Sequence, residues 1–470
     1  MILGKVFERF VERSPVSVMF RGAMENVCSP ERLDRLFAGR AKRQHAGLLL
    51  FSSVADLLSQ VVCQLHKSVH SAYKEREQEI GVSVKSVYDK LAGVEPAVCE
   101  ALVSDLAAHL SAIHRELNAA PTTLLPGYEV RIADGNHLAG TEHRLKPLRG
   151  SGAAALPGQA LAILDPQSEL ICDMIACPDG HANERTLLPQ LLEKVAARQV
   201  WIADRNFCTL DFMLGIIQRQ AFFAIRQHLG AARWKLVGER RALGRIAGGA
   251  VYEETVQLTS KASGGLVLRR IVIQLDKPTR DGDREVYIFS NLPADVDGKT
   301  IAELYRSRWT IETAFQHLAT SLRSEVNTLG YPEAALFGFA LAVVAYNLLA
   351  TVKVALRTAH DLPAPPRGEA GLRVKSKKIS TYYLADAISG ISRGMEIAIP
   401  AQHWTEAFAH LTPGQLAAIL LELAKKVRIS RFLANPYSPK RPQPKRKSGN
   451  RGNHVSTHRL LQKTRKASPC

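Results

Sequence analysis

The chain has 470 residues, 46% of them hydrophobic, and a mean hydropathy of -0.07; this supplies a sizeable core and excludes a wholly disordered or fibrous protein. The 62 Lys and Arg against 44 Asp and Glu leave a formal charge of +18 and a pI near 9.7, an excess that points to nucleic acid first and an anionic membrane surface second. Seven cysteines without a CxxC pair argue against a disulfide framework, and Lys5, Glu8, Arg9, Glu12 and Arg13 interrupt any apolar leader.

Residues 1–120 read as helical, with apolar spacing in LLLFSSVADLLSQVV and EPAVCEALVSDLAAHLSAIHREL and a basic bias from Arg35 to Arg43. Between them, VSVKSVYDKLAG has the form of a helix-turn-helix. There Ser83, Lys85, Ser86 and Tyr88 either face DNA or decorate an ordinary solvated helix.

From 121 to 233 strands and helices alternate. YEVRIADGN, QALAILDP and ELICDMIACP read as three strands, then ERTLLPQLLEKVAA as a helix, QVWIAD as a strand, LDFMLGIIQRQ as a helix and AFFAIRQ as a strand. Such an order predicts a mixed sheet with helices on its faces. IADGN at 132–136 returns as IADRN at 202–206, so Asp134 and Asp204 are each expected at a strand end, where open sheets of this class receive ligands. Cys172, Cys177 and His181 approach a zinc spacing, yet no fourth ligand follows at a fitting interval. His137, Glu142 and His143, with Arg144, Lys146 and Arg149 close by, read either as a phosphate-facing loop, which the cations favour, or as a zinc-binding one. Glu184 reads as a first-turn acid favoured by the helix dipole.

Strands and Gly-rich turns over 234–293 predict an all-β insertion. Within 294–359, KTIAELYRSRWTIETAFQHLATSLRSEV predicts one strong helix. On it Tyr305, Arg308, Glu312, Gln316, Ala319 and Arg323 share an arc of roughly 80°, beside an apolar stripe of Leu304, Ile311, Phe315, Leu318 and Leu322. Arg308 and Glu312 also have the i,i+4 spacing of a surface ion pair. Ala334 to Val352 is uncharged and approaches a membrane span in length, but Asn347 and the small residues favour a buried core helix. Residues 360–436 turn from Pro-rich to helical. The basic stretch 437–470 predicts a disordered tail, either adding salt-dependent DNA affinity or merely solvated.

Three ordered motifs, ADG at 133–135, ADRNF at 203–207 and YRSRWTIE at 305–312, make the chain similar to the DDE transposases of bacterial insertion sequences. It especially resembles the insertion-sequence-four family, whose helix carries a Tyr-x2-Arg-x3-Glu-x6-Lys signature. The resemblance covers residues 128 to about 356. It implies an α/β fold: an RNase H-like mixed-sheet catalytic domain in two parts, 121–233 and 294–359, interrupted by the all-β insertion 234–293. Helical N-terminal DNA-binding (1–120) and C-terminal (360–436) regions flank it.

The resemblance also implies that Asp134, Asp204 and Glu312 are catalytic and hold two Mg²⁺ ions, with Mn²⁺ able to substitute; hard oxygen ligands suit both. Tyr305 and Arg308 would hold phosphates near the cut, with Arg205 as a further DNA contact. Trp234 either stacks a flipped base or is an ordinary packed aromatic. Ala319 stands where the signature has lysine, and Arg323 is read as the replacement cation. The implied activity is cleavage at element ends and joining of the 3′-hydroxyls to target DNA, by a homodimer on double-stranded DNA in the bacterial cytoplasm at the nucleoid, without a membrane. The rival readings are a catalytically disabled DNA-binding remnant, which Ala319 permits, and a metal-dependent nuclease of the same fold.

Overall fold

The structure is a computed structural model that describes residues 3–44, 47–117, 123–228, 230, 233–259, 265–279, 282–362, 378–434 and 454–467. Seven helices lead the chain: α1 (Glu8–Arg13), α2 (Pro15–Val27), α3 (Pro30–Arg40), α4 (Phe51–Val62), α5 (Val69–Ile80), α6 (Val84–Ala92) and α7 (Pro96–Glu116). Pro15, Pro30 and Pro96 open three of them, at positions whose N–H has no helical partner in any case. Gly81, at φ 67°, makes the left-handed turn between α5 and α6, and Ser83 caps α6 by accepting from the Ser86 N–H. The stretch 82–93 is thus one helix, α6, set after α5 by the Gly81 turn. Two of its four candidate DNA residues are used locally: Ser83 is the cap, and Lys85 pairs with Asp89 at 2.6 Å.

Next come β1 (Glu129–His137), β2 (Ala154–Leu156), β3 (Gln159–Asp165), β4 (Leu170–Cys177), α8 (Leu188–Glu193), β5 (Gln199–Ala203), α9 (Leu210–Gln218) and β6 (Phe222–Arg226). Five strands follow: β7 (Arg233–Leu236), β8 (Arg241–Ile246), β9 (Gly249–Thr259), β10 (Leu266–Leu275) and β11 (Glu285–Ser290). The main sheet runs β4-β3-β1-β5-β6-β11-β10-β9-β7, with β8 paired to β9. Strand β1 is antiparallel to β3 and parallel to β5, and β6 continues parallel. The sheet is therefore mixed, as expected. The composition shift at 234–293 predicted a separate all-β insertion; instead β11 pairs with the free edge of β6, Ile288 opposite Arg226 and Ser290 opposite Ala224, and the same sheet runs on. An open edge of unpaired N–H and C=O groups draws the next strand.

Side chains alternate across the sheet and build two cores. Val130, Ile132, Val200 and Ile202 face one, shared with the N-terminal helices and the later helices α10 (Gly298–Arg306), α11 (Trp309–Thr320) and α12 (Pro332–Ala359). Ala133, Trp201, Ala203 and Phe223 face the other, filled by α8, α9 and Phe207. Each fully buried Leu, Ile or Phe contributes about 1.5–3 kcal/mol.

Helix α12 is long and apolar enough to cross a membrane, as is α7, yet the most apolar window of α12 is wholly buried in this protein. Its Asn347, 1% exposed, accepts from the Ile171 N–H and donates to the Ile171 carbonyl, both at 2.9 Å. Glu100 of α7 accepts from the Ala176 N–H at 2.9 Å. Strand β4 is the sheet's edge, and these two side chains satisfy part of the backbone it leaves unpaired. Glu169, in the turn before β4, pairs with Lys353 at 2.5 Å and Arg357 at 2.9 Å on α12.

Two further expectations need correction. The strong helix of 299–326 is two: α10 ends at Arg306 and α11 starts at Trp309, with Ser307 Oγ donating to the Leu304 carbonyl at the break. Beyond α13 (Thr381–Ala398), α14 (Ala401–Trp404) and α15 (Pro413–Lys425), the tail expected to be disordered contains β12 (His454–Ser456), parallel to β2, and α16 (Thr457–Ala467). Asp179 holds this piece: it accepts from Ser456 Oγ at 2.6 Å and Arg459 Nε at 2.8 Å. Composition alone does not reveal a partner of that kind. The rest of 437–470 lies outside the described residues.

Candidate active site

The two IAD phrases lie side by side. In the parallel β1/β5 pair, Ile132 stands opposite Ile202 and Ala133 opposite Ala203. Pairing with β5 stops there, so Asp134 and Asp204 are the next residues along neighbouring strands. Strand β1 continues to His137 because β3 stays with it, Asp134 opposite Ala162. Asp134 is thus within a strand rather than at its end, while Asp204 leaves β5 and caps a short turn by accepting the Arg205 N–H.

Alternation turns Asp134 to the Ile132 side of the sheet, where α11 packs on β1. Arg308, between α10 and α11, joins the parts: Nη1 donates to Asp134 Oδ2 at 2.9 Å and Nη2 to Glu312 Oε1 at 2.6 Å. Its side chain is 11% exposed and its Nε is buried without a partner, whereas Glu312 is half-exposed. Burial pushes the Asp134 carboxyl up to about 6; Arg308 and the Gly135 N–H pull it down, while Asp204 and Glu184 push it further up. Tyr305 is buried, and its hydroxyl is pushed up to about 12 chiefly by that burial, with Arg308 opposing and Asp204 adding.

Sequence reasoning missed Glu184. A Cβ on Gly135 would collide with Glu184 Oε1, so the glycine after Asp134 admits this carboxylate. Glu184 Oε2 accepts from Asn206 Nδ2 at 3.1 Å, and Arg185 Nε donates to the Asn206 carbonyl at 3.1 Å. The signals were Gly135 and Asn206 themselves, each two steps or fewer from an aspartate.

Other expected site residues are elsewhere. Arg323 lies beyond the end of α11, so the shared helical angle with Tyr305 does not exist. Its Nη1 donates to the carbonyls of His66 (3.1 Å) and Lys67 (2.8 Å). Trp234 is on β7, six strands from β1 along the sheet, roughly 29 Å at ~4.8 Å per strand. The Arg270 guanidinium covers one face of its ring at 4.3 Å. Arg205, by contrast, stays at the site, exposed beside Asp204. In the β1–β2 loop, His143 meets the Ala153 carbonyl at 2.8 Å and Glu142 pairs with Arg144.

Among the described residues no three His, Cys, Asp or Glu side chains converge as a cage for a metal ion. The Cys172 and Cys177 thiols donate to the carbonyls of Ile163 and Asp179. Asp134, Asp204 and Glu312 nonetheless suit a hard divalent cation: all are oxygen donors, and a cationic group, Arg308, already stands between two of them.

Residues 125–348 match the family model of the transposase DDE domain. That match supports a DDE transposase family, with DNA as partner and the divalent metals such enzymes generally use. The matched segment extends from just before β1 into α12, so Asp134, Asp204 and Glu312 all fall within it. No curated protein matches the chain.

Proposed function

We propose that the chain is a transposase of the insertion-sequence-four kind, which binds the terminal repeats of its element, cleaves there by phosphodiester hydrolysis and joins the 3′-hydroxyls to target DNA. The observation that carries the reading is the Arg308 bridge: within a matched DDE domain it ties the aspartate of the first motif to the glutamate of the third. The β4-β3-β1-β5-β6 portion of the sheet agrees with an RNase H-like core. Asp134, Asp204 and Glu312 would hold Mg²⁺, or Mn²⁺ in its place, which when bound activates water and stabilises the pentacovalent phosphate.

The chain's own groups do the rest. Arg308 keeps Asp134 and Glu312 from repelling one another, and on release its planar fork suits a phosphate. Tyr305, buried against Arg308, fixes where that guanidinium swings. The β1–β3 pairing holds Asp134 rigid on a strand while Glu312 remains half-exposed on a helix, so Glu312 is the member that adjusts to DNA. A homodimer on paired ends is part of the reading.

The test is Mg²⁺-dependent cleavage and joining on a labelled duplex carrying the element's own terminal repeat, with Glu312→Gln beside wild type. End-specific nicking and strand transfer, lost in the variant while binding persists, support the proposal. If both proteins bind alike and neither cuts, the disabled-remnant reading replaces it, in line with Ala319 at the lysine place and Arg323 engaged by backbone carbonyls. Cutting without end preference or joining favours the nuclease.

A further inference from the structure

The strand and helix at 454–467 have no part in the chemistry above, and their position is specific. Past Asp134, β1 runs on to His137 and into the 138–158 segment, closed by the Leu138 N–H on the Gly158 carbonyl at 3.1 Å. That segment carries β2, to which β12 pairs from His454 opposite Ala154 to Ser456 opposite Leu156. It also carries the Lys146–Leu148 turn, on which α16 packs. Asp179 holds the piece through Ser456 and Arg459, and Arg459 Nη2 reaches the His181 carbonyl at 3.3 Å. The helix is therefore fastened at the end of β1 towards which Asp134 lies.

Its sequence, THRLLQKTRKA, contains no acid. Leu460 and Leu461 face inward, half-buried, while Lys463, Arg465 and Lys466 are exposed, as are Lys146 and Arg149 beneath the helix. Among the described residues none of these five cations has a carboxylate within ion-pair distance. Lys74 beside Glu77 and Lys85 beside Asp89 show the alternative, an exposed cation with its own carboxylate. A group of uncompensated cations held in a fixed place fits a regular array of negative charge, and duplex DNA offers one charge per ~1.7 Å of axis.

We propose that α16 is a docked DNA-backbone contact: Lys463, Arg465 and Lys466, with Lys146 and Arg149, hold the phosphates of a duplex lying across the Asp134 end of the sheet, without reading its sequence. This rests on the transposase reading for the identity of the polyanion. Backbone contacts of this kind position the duplex and carry no base specificity.

The experiment is a salt titration of full-length protein binding to a fluorescent duplex of arbitrary sequence. The triple variant Lys463→Ala/Arg465→Ala/Lys466→Ala is compared with Lys426→Ala/Arg428→Ala/Arg431→Ala, which removes equal charge from the exposed turn that follows α15. Each phosphate that is no longer neutralised lowers the slope of log K against log salt by about 0.9, so the slope of the α16 triple is expected to drop by up to ~2.7. Between 50 and 200 mM salt its affinity then falls about 40-fold less than that of wild type. The control triple is expected to keep the wild-type slope. In parallel, saturating DNA is expected to protect the bonds after Lys463 and Arg465 from trypsin.

An unchanged slope in the α16 triple, equal reductions in both triples, or unprotected bonds in the DNA complex overturns the inference. The two readings separate cleanly. A reduced slope and protection in a protein that never cuts DNA leave this surface standing and remove the transposase; end cutting and joining with an unaltered slope in the α16 triple do the reverse.

Discussion

Substituting Glu169 by Gln is expected to loosen the packing of α12 on the sheet. The Glu169 side chain is 15% exposed, and its partners Lys353 and Arg357 are 10% and 18% exposed, at 2.5 and 2.9 Å. Burial pushes its carboxyl up, but Lys353 and Arg357 together hold it well below the ordinary value of 4.5. The glutamine keeps the shape and loses the charge, leaving two cations facing each other with little water. Breaking a buried ion pair from one side costs ~3–5 kcal/mol; a retained neutral hydrogen bond puts this case near the lower end, about 3 kcal/mol. At about 1 °C per kcal/mol for a chain of this length, the melting midpoint falls by roughly 3 °C.

Thermal melts at pH 7, followed by circular dichroism, read this directly. The pH dependence adds a sign. A carboxyl whose folded pKa is depressed stabilises fully above its unfolded value and loses that contribution as pH falls. The gap between wild type and Glu169→Gln should therefore close below about pH 4.5. A midpoint within ~1 °C of wild type at pH 7, or a gap that widens in acid, refutes the reasoning.

Gly135→Ala pushes the flexible end of Glu184 aside rather than any backbone, so the midpoint should hold while DNA cleavage falls; a full loss of folding would contradict that placement. His114 is held down to about 4 by burial, with Arg357 adding, while its Nε2 meets Thr351 Oγ1 at 2.8 Å. The unfolded chain binds this proton first, so stability falls as pH drops from ~6.5 towards 4, by up to about 3 kcal/mol. His114→Gln should flatten that limb in denaturant titrations. Arg308→Ala frees Asp134 and Glu312 for a cation: calorimetry without DNA is expected to show Mn²⁺ binding tightened about tenfold, the worth of one charged hydrogen bond of ~1.5 kcal/mol. Weaker binding would mean that the guanidinium arranges the carboxylates instead of standing in their cation's place.

The sequence carried the local half of this protein. Period-two alternation located β1, β3, β4, β5 and β6, and the repeated IAD singled out Asp134 and Asp204, expected at strand ends, of which only Asp204 leaves its strand there. Asn347 and the small residues around it told a core helix from a membrane span, and its contact with Ile171 agrees. What escaped depended on residues distant in sequence. The strands of 234–293 read as a separate unit because nothing in them names β6 as their neighbour. Arg323 counted as a helix-face residue because helical angle ignores where the helix stops. Glu184 gave no sign of its neighbours until Gly135 was seen to leave room for it, and the order at 454–467 depends on Asp179, nearly three hundred residues earlier.

The sealing of β4 has a consequence for how the molecule can be divided. Residues 125–348 retain Asn347 but lose Glu100, which belongs to α7. A fragment cut to those limits would present the Ala176 amide and its strand to solvent, a template on which a second copy could add its own strand. Helix α7, ahead of the matched segment, thus covers part of its rim. Attempts to express that segment alone should yield clumped material, and restoring α7 together with the rest of α12, which carries Lys353 and Arg357, should cure it.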